Sequence, residues 1–395
     1  MDFTPPTTFA PQLDAPFAAS LELLGEVPEE RPVVLHVTEC YDGGVRSVVD
    51  QVAASVPTAE HHLLYGGGPQ PGPQAGYASV HRIRGGRLAA RRDYTSALRR
   101  VRPTVVHAHS SWAGLTVRGF TGPRVPVVYQ PHCFAFEDGE RALWFRLATR
   151  SVERALTGRT DVVVAVSEHE RRLSVDVVGH RRAVLVPNVP SVRRGPSTAP
   201  GAAPGPESPA VRPRGGAPHV VMLGRVCAQK DPAWFAEAAR RTAAQVPGAR
   251  FTWVGDGEPA ATVVLAAAGV HVTGWLTGEP LERVLDSADV YLHSARYEGF
   301  PVAVLDAASR DLPVLVRPIH AFDGTGLARV STPAQVPDAV VRLHRDEAHR
   351  AAALAQGRRV LEAMDGVLAA RRLEELYAGM RAAPARRAAA RPVGR

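Results

Sequence analysis

Short apolar runs recur along the first half of the chain, each followed by a longer stretch of mixed character. The first is Pro32-Val33-Val34-Leu35-His36-Val37. A brief run of this kind, rich in β-branched residues, reads as a strand buried on both faces. The same reading applies to residues 60–65, 80–83, 105–109, 125–130, 162–166 and 183–186. Helices are expected between them, over residues 45–55, 88–101, 114–120, 141–156 and 168–178. Strands that alternate with helices cannot be joined as hairpins, so the pattern predicts a parallel, doubly wound sheet.

The alternation stops at residue 190. From there to residue 218 proline, glycine, alanine and serine dominate, too little apolar material for a core, and the segment reads as a linker or insertion. A second alternation follows. Strands are expected at 219–223, 250–254, 270–273, 290–293, 314–316 and 328–330, and helices at 232–245, 260–268, 279–287, 302–310, 333–344 and 348–377, the last broken near Gly366. The organisation predicted is a loose tail over 1–30, an α/β domain over 31–189, the linker 190–218, a second α/β domain over 219–380 and a basic tail over 381–395. The final helix is free to pack back on the first domain. In doubly wound sheets ligands bind at the carboxyl ends of the strands, which places the expected site in the cleft that two such domains would face across.

Composition narrows the class. At 395 residues the chain can build two full cores, and no apolar run approaches the roughly 20 residues that cross a bilayer. The N-terminal residues carry no basic, apolar signal-peptide pattern, and the three cysteines form no Cys-x-x-Cys; both point to a cytoplasmic protein. Cys40, Cys133 and Cys227 all fall on predicted loops, where small residues filling tight turns explain them better than a metal trio. The net charge of +8 is concentrated. Between His81 and Arg124 stand Arg82, Arg84, Arg87, Arg91, Arg92, Arg99, Arg100, Arg102, Arg118 and Arg124, against Asp93 alone. Without interleaved aromatics this stretch suits an anionic membrane face better than nucleic acid, and an ordinary solvated helix face explains it equally well.

Among 47 basic side chains only Lys230 is a lysine. It lies with Arg225 in Leu223-Gly224-Arg225-Val226-Cys227-Ala228-Gln229-Lys230-Asp231, a strand end, loop and helix start that can aim a planar fork and a compact ammonium at one phosphate group. Three further groups fall at strand ends. Gly43 and Gly44 open a helix after the first strand, where backbone N–H groups can approach an anion, although the three-glycine dinucleotide fingerprint is absent. His132, in Tyr129-Gln130-Pro131-His132-Cys133, is placed to bond a sugar hydroxyl or to sit as a structural residue, while His107 and His109 read as structural. The loop Arg296-Tyr297-Glu298-Gly299-Phe300-Pro301-Val302 leads into a helix that carries Asp306, giving two carboxylates able to grip hydroxyl pairs.

These motifs, in this order, make the chain resemble a GT-B glycosyltransferase of the retaining family 4, over about residues 33–380 apart from the 190–218 segment. The signature is the acid pair Glu298 and Asp306 around a Glu-Gly-Phe loop, joined by Gly43-Gly44, Val106-His107-Ala108-His109, Pro131-His132, Gly224-Arg225, Gln229-Lys230-Asp231 and Val254-Gly255-Asp256-Gly257. The resemblance implies transfer of a sugar, with retention, from a UDP- or GDP-sugar to a glycan, lipid-linked or small-molecule acceptor, without metal or other cofactor. Arg225 and Lys230 would hold the donor diphosphate, and Glu298 with the backbone of Gly299, Phe300, Pro301 and Val302 the sugar. Asp306 would take the ribose hydroxyls, Gly274 and Trp275 the base, His132 the donor sugar, and Gly43 and Gly44 the phosphate or acceptor. The first domain would bind the acceptor, with peripheral contact at the inner membrane face through residues 81–124. Two departures stand out: Asp306 replaces a glutamate, and Pro318–Gly324 lacks the usual paired glycines. They leave a rival reading, a catalytically silent GT-B binding or scaffold protein.

Overall fold

A computed structural model describes residues 31–72, 75–119, 125–192 and 216–382. The expected tail over 1–30, residues 193–215 of the expected linker and the tail beyond 382 lie outside the described residues. The chain forms two compact units. One holds the residues up to Pro187 together with the final helix Gly366–Ala382, and the other holds Asn188–Asp365.

The first unit is a seven-stranded sheet in the order β3-β2-β1-β4-β5-β6-β7, with every neighbouring pair parallel. Its strands are β1 (Val33–Thr38), β2 (Glu60–Tyr65), β3 (Ser79–Arg82), β4 (Val105–His109), β5 (Val127–Gln130), β6 (Val162–Ala165) and β7 (Ala183–Leu185). The second unit repeats the plan with six parallel strands ordered β10-β9-β8-β11-β12-β13. These are β8 (His219–Leu223), β9 (Arg250–Val254), β10 (Val270–Val272), β11 (Val290–His293), β12 (Val314–Val316) and β13 (Ala328–Arg329). In each sheet the strand order reverses beside the unit's first strand, between β1 and β4 and between β8 and β11. Loops there diverge to opposite faces and open a crevice at the strands' carboxyl ends.

The two faces of the first sheet differ in chemistry. Leu35, Val37, Val106, Ala108, Val127 and Tyr129 join one apolar core. Histidines are prominent among the intervening side chains: His36 pairs in register with His107, and His61 stands opposite Val34. Strand alternation therefore puts His36, His61, His107 and His109 together on the other face. The helix Gly366–Ala382 covers them, and Tyr377, fully buried, donates or accepts at His107 Nδ1 (2.8 Å).

Local chemistry moves two expected boundaries and takes one arginine out of the basic stretch. The helix predicted from residue 114 begins at Ser111, because the Ser110 hydroxyl and Glu39 both accept from the Ala113 N–H. The helix expected over 168–178 is α-helical only to Arg172 and continues as a wider π turn over Leu173–Val178, where Ser174 Oγ bonds back to Glu170 O (2.8 Å). Arg118 does not belong to a basic surface. It is 1% exposed, pairs with Glu153 at 2.9 Å and lies 3.7 Å from the centre of the Tyr129 ring. Arg82, Arg84, Arg91, Arg92, Arg99, Arg100 and Arg102 are exposed, and Arg124 falls outside the described residues.

Candidate active site

In the second unit, the loops after β8 and β11 meet over the switch point. Lys230 lies in a short 3-10 turn, Ala228–Lys230, that ends at Asp231. Asp231 adopts φ 51°, caps the helix Pro232–Gln245 through the Trp234 N–H, and accepts from Arg296 (2.8 Å) and Arg317 (2.7 Å). Burial pushes the Asp231 carboxyl up, and the two guanidiniums outweigh that and leave it below its usual range. Ser294 Oγ donates to Lys230 O (2.6 Å), and the Arg296 N–H to Gln229 O (2.9 Å), so the two loops are sewn into one surface.

The Lys230 ammonium is bonded to Glu298, with the two side chains 14% and 10% exposed. Burial alone would raise the Glu298 carboxyl. Lys230, and His293 at 3.6 Å, reverse the shift and lower it to about 2. Glu298 is thus held as the carboxylate at neutral pH. Gly224 makes room for it: at φ 142°, a Cβ there would sit 3.1 Å from Lys230 Cε. Gly255 packs closer still, since its Cβ would come within 2.0 Å of Gly224 O. Arg225 projects, exposed, from the same loop.

Beyond Glu298, Gly299 and Phe300 are buried, and Pro301 precedes the helix Val302–Ser309, whose first turn has no side-chain cap. Its leading N–H groups and the helix dipole point toward the loop, an arrangement that favours an anion. Within residues 318–324, Phe322 is fully buried between His293 and Phe300, while Pro318, His320, Asp323 and Gly324 are exposed. Gly274 turns the chain at φ 75° after β10, and the adjacent Trp275 is 44% exposed.

Asp306 does something the spacing did not suggest. Its Oδ1 accepts from the Ser191 and Val192 N–H groups (2.6 and 3.1 Å) and its Oδ2 from Ser191 Oγ (2.8 Å). Burial pushes this carboxyl up to about 6 despite those bonds. Both oxygens anchor the start of the second unit, and the side chain is buried.

In the first unit, Gly43 (φ 54°) begins the helix Gly43–Ser55 with Asp42 as its cap, and Gly44 is exposed with nothing within 4 Å of where a Cβ would stand. His132 follows β5 in a strained turn, with His132 at φ 55° and Cys133 at φ 104°. Glu170 secures that turn, its two oxygens accepting from the Cys133 N–H (2.7 Å) and the Val166 N–H (2.8 Å). Burial raises the Glu170 carboxyl to about 7. His132 itself is lowered to about 4 by burial and is neutral at physiological pH. Its Nε2 meets His109 Nδ1 at 3.1 Å.

The matches to known proteins divide at the same place as the fold. Residues 42–190 match the family described as Glycosyltransferase Family 4, and residues 217–346 the one described as Glycosyl transferases group 1. The chain belongs to the GT-B glycosyltransferases of family 4. This glycosyltransferase is 26% identical over 243 residues to the UDP-Gal:alpha-D-GlcNAc-diphosphoundecaprenol alpha-1,3-galactosyltransferase of Escherichia coli, covering 56% of this chain and 60% of that one. Sucrose-phosphate synthase from Thermosynechococcus elongatus superposes with a TM-score of 0.67 at 16% identity, over 88% of this chain and 98% of that one. Anabaena HepE, solved with UDP and glucose, gives 0.66 at 14% identity, over 88% and 99%.

The structure adds residues that the sequence reading left aside. His293 sits behind Glu298 with its Nδ1 on the Tyr291 hydroxyl (3.0 Å); its place at the end of β11, five residues before Glu298, was the available signal. Glu170 had none, since it lies 37 residues from the turn it holds. The helix Leu143–Ala155 shows Leu143, Trp144 and Leu147 at 66%, 72% and 52% exposure, an apolar surface beside Arg141. Among the described residues no helix is long and apolar enough to cross a membrane.

Proposed function

We propose that the protein is a retaining, metal-independent glycosyltransferase that moves a sugar from a nucleotide diphosphate donor, a UDP- or GDP-sugar, to a lipid-linked acceptor. The observation that carries this reading is the Lys230–Glu298 couple beside the uncapped start of Val302–Ser309. As the glycosidic bond breaks, charge develops on the leaving diphosphate. Lys230, Arg225 and the helix N–H groups would meet it, and preorganised donors of this kind are the strongest lever on such a barrier. Glu298, kept ionised, would accept hydroxyl hydrogen bonds from the transferred sugar. The first unit would supply the acceptor side through Gly43, Gly44 and His132. That the E. coli relative acts on a diphosphoundecaprenol-linked sugar, and that the first unit exposes both arginines and the Leu143-Trp144-Leu147 surface, supports a lipid-linked acceptor met at a membrane face.

Thermal stabilisation by UDP, GDP, ADP and their sugar conjugates tests the donor site before any acceptor is identified. One nucleotide should raise the melting temperature, and Lys230→Ala should abolish the shift without lowering the unliganded melting temperature by more than a few degrees. Silence with every nucleotide would retire the reading.

A further inference from the structure

A continuous line of hydrogen bonds runs through the histidine face. His61 Nε2 meets the Val56 carbonyl oxygen (2.9 Å), and His61 Nδ1 meets His36 Nε2 (2.9 Å). His36 Nδ1 then meets His109 Nε2 (3.0 Å), and His109 Nδ1 meets His132 Nε2 (3.1 Å). We propose that the Val56 carbonyl, acting through His61, His36 and His109, locks His132 as its Nε2–H tautomer and presents Nδ1 as a hydrogen-bond acceptor. The placement of that lone pair in the transfer site rests on the function proposed above; the lock itself does not.

The polarity leaves no choice. A carbonyl oxygen only accepts, so His61 must donate through Nε2. A neutral imidazole carries a single N–H, so His61 Nδ1 is then an acceptor and His36 must donate to it through Nε2. The same step repeats at His36, at His109 and at His132. Burial lowers all four rings, which keeps them neutral at physiological pH. The residue at the end of the line, half-buried His132, has no described partner at Nδ1.

The line does not conduct protons. A proton arriving at His132 and passed inward would stop at His61, whose outer partner is a carbonyl with no proton to release. It therefore orients. The chemistry it selects is a hydroxyl that donates its hydrogen to His132, which turns the oxygen lone pairs of that hydroxyl outward, as a sugar hydroxyl or an attacking acceptor hydroxyl requires. Ring nitrogens of His36, His107 and His109 lie within 4.8 Å of one another, and His107 Nε2 is buried without a partner. A cation taken by His109 through Nε2 would drive its proton to Nδ1 and reverse His132.

Imidazole nitrogen spectra of the full-length, 15N-histidine-labelled protein at neutral pH decide the matter, with His132 assigned by its loss in His132→Gln. The expected signature is a pyrrole-type Nε2 and a pyridine-type Nδ1 at His132, collapsing to averaged values for both nitrogens in His36→Leu. Should that variant fail to fold, His61→Leu breaks the line at its origin. A proton on Nδ1 in the unmodified protein, or an unchanged signature in the folded broken-line variant, overturns the lock. Addition of UDP-glucose and GDP-mannose then tests placement: a shift at His132 Nδ1 with whichever of them stabilises the protein supports it, whereas stabilisation without a shift removes His132 from the donor site and leaves the lock standing.

Discussion

Asp306 and Glu170 each hold a stretch of backbone by accepting from two of its N–H groups. At Asp306 those are the N–H groups of Ser191 and Val192. Asp306→Ala should destabilise the second unit by roughly 1–3 kcal/mol for each buried donor left without an acceptor, read as a lower denaturant midpoint with an unchanged slope. A variant of normal stability that loses nucleotide stabilisation would instead assign Asp306 to the ribose. The acid pair itself was legible, because loop punctuation and helix geometry fix Glu298 and Asp306 from a dozen neighbouring residues. What Asp306 bonds was not legible, since Ser191 lies 115 residues away. At Glu298 the expected outcome is different: Glu298→Gln frees Lys230 from a buried ion pair, so phosphate affinity should hold or rise while sugar-dependent stabilisation is lost. Comparing UDP with a UDP-sugar in the same melting assay separates the two.

The elements show where period-based reading succeeds. Strands and helices of the second unit were legible nearly residue by residue, because proline at Pro232, Pro259 and Pro301 marks helix starts and short Val/Leu runs mark strands. The helix Leu143–Ala155 was legible as a helix but not as an exposed apolar surface, since a stripe of Leu143, Trp144 and Leu147 reads the same whether it meets a core or solvent. Its exposure predicts binding to vesicles that contain anionic lipid. Trp144→Ala combined with Leu147→Ala should weaken that binding by roughly tenfold or more, given about 1.5–3 kcal/mol for burying a large apolar side chain. Salt should weaken the arginine contribution further. Equal partitioning of variant and parent in a flotation assay would rule the surface out. At the turn after β5, Cys133 holds φ 104°. Cys133→Gly should raise stability by about 1 kcal/mol through relief of that strain, measured by denaturant titration.

For the molecule as a whole, buried titratable groups set the response to acid. Histidines His36, His61, His107, His109 and His132 are all lowered by burial from an ordinary value of 6.5. Below about pH 6.5 the unfolded chain takes up protons at these five while the folded one does not, so stability falls as pH falls. Glu39, Glu170 and Asp306 are raised by burial and act in the opposite sense, losing stability as pH rises toward 7. His81, His180, His219 and His293 are lowered by burial as well, so nine histidines against three carboxyls give a net loss on acidification from pH 6.5 toward 5, and His36→Leu should flatten that slope in a series of denaturant titrations.

The histidine face is closed by Tyr377, on a helix that belongs to the first unit although 178 residues of the second unit, Asn188 to Asp365, precede it in the chain. During synthesis the half that leaves the ribosome first is therefore the last to be finished. Until the closing helix emerges, the imidazoles that orient His132 are exposed to water, where their tautomers are free to exchange. The acceptor geometry of the first half thus waits on the complete translation of the second, and a chain cut at residue 365 would lose it without losing a single one of the four histidines.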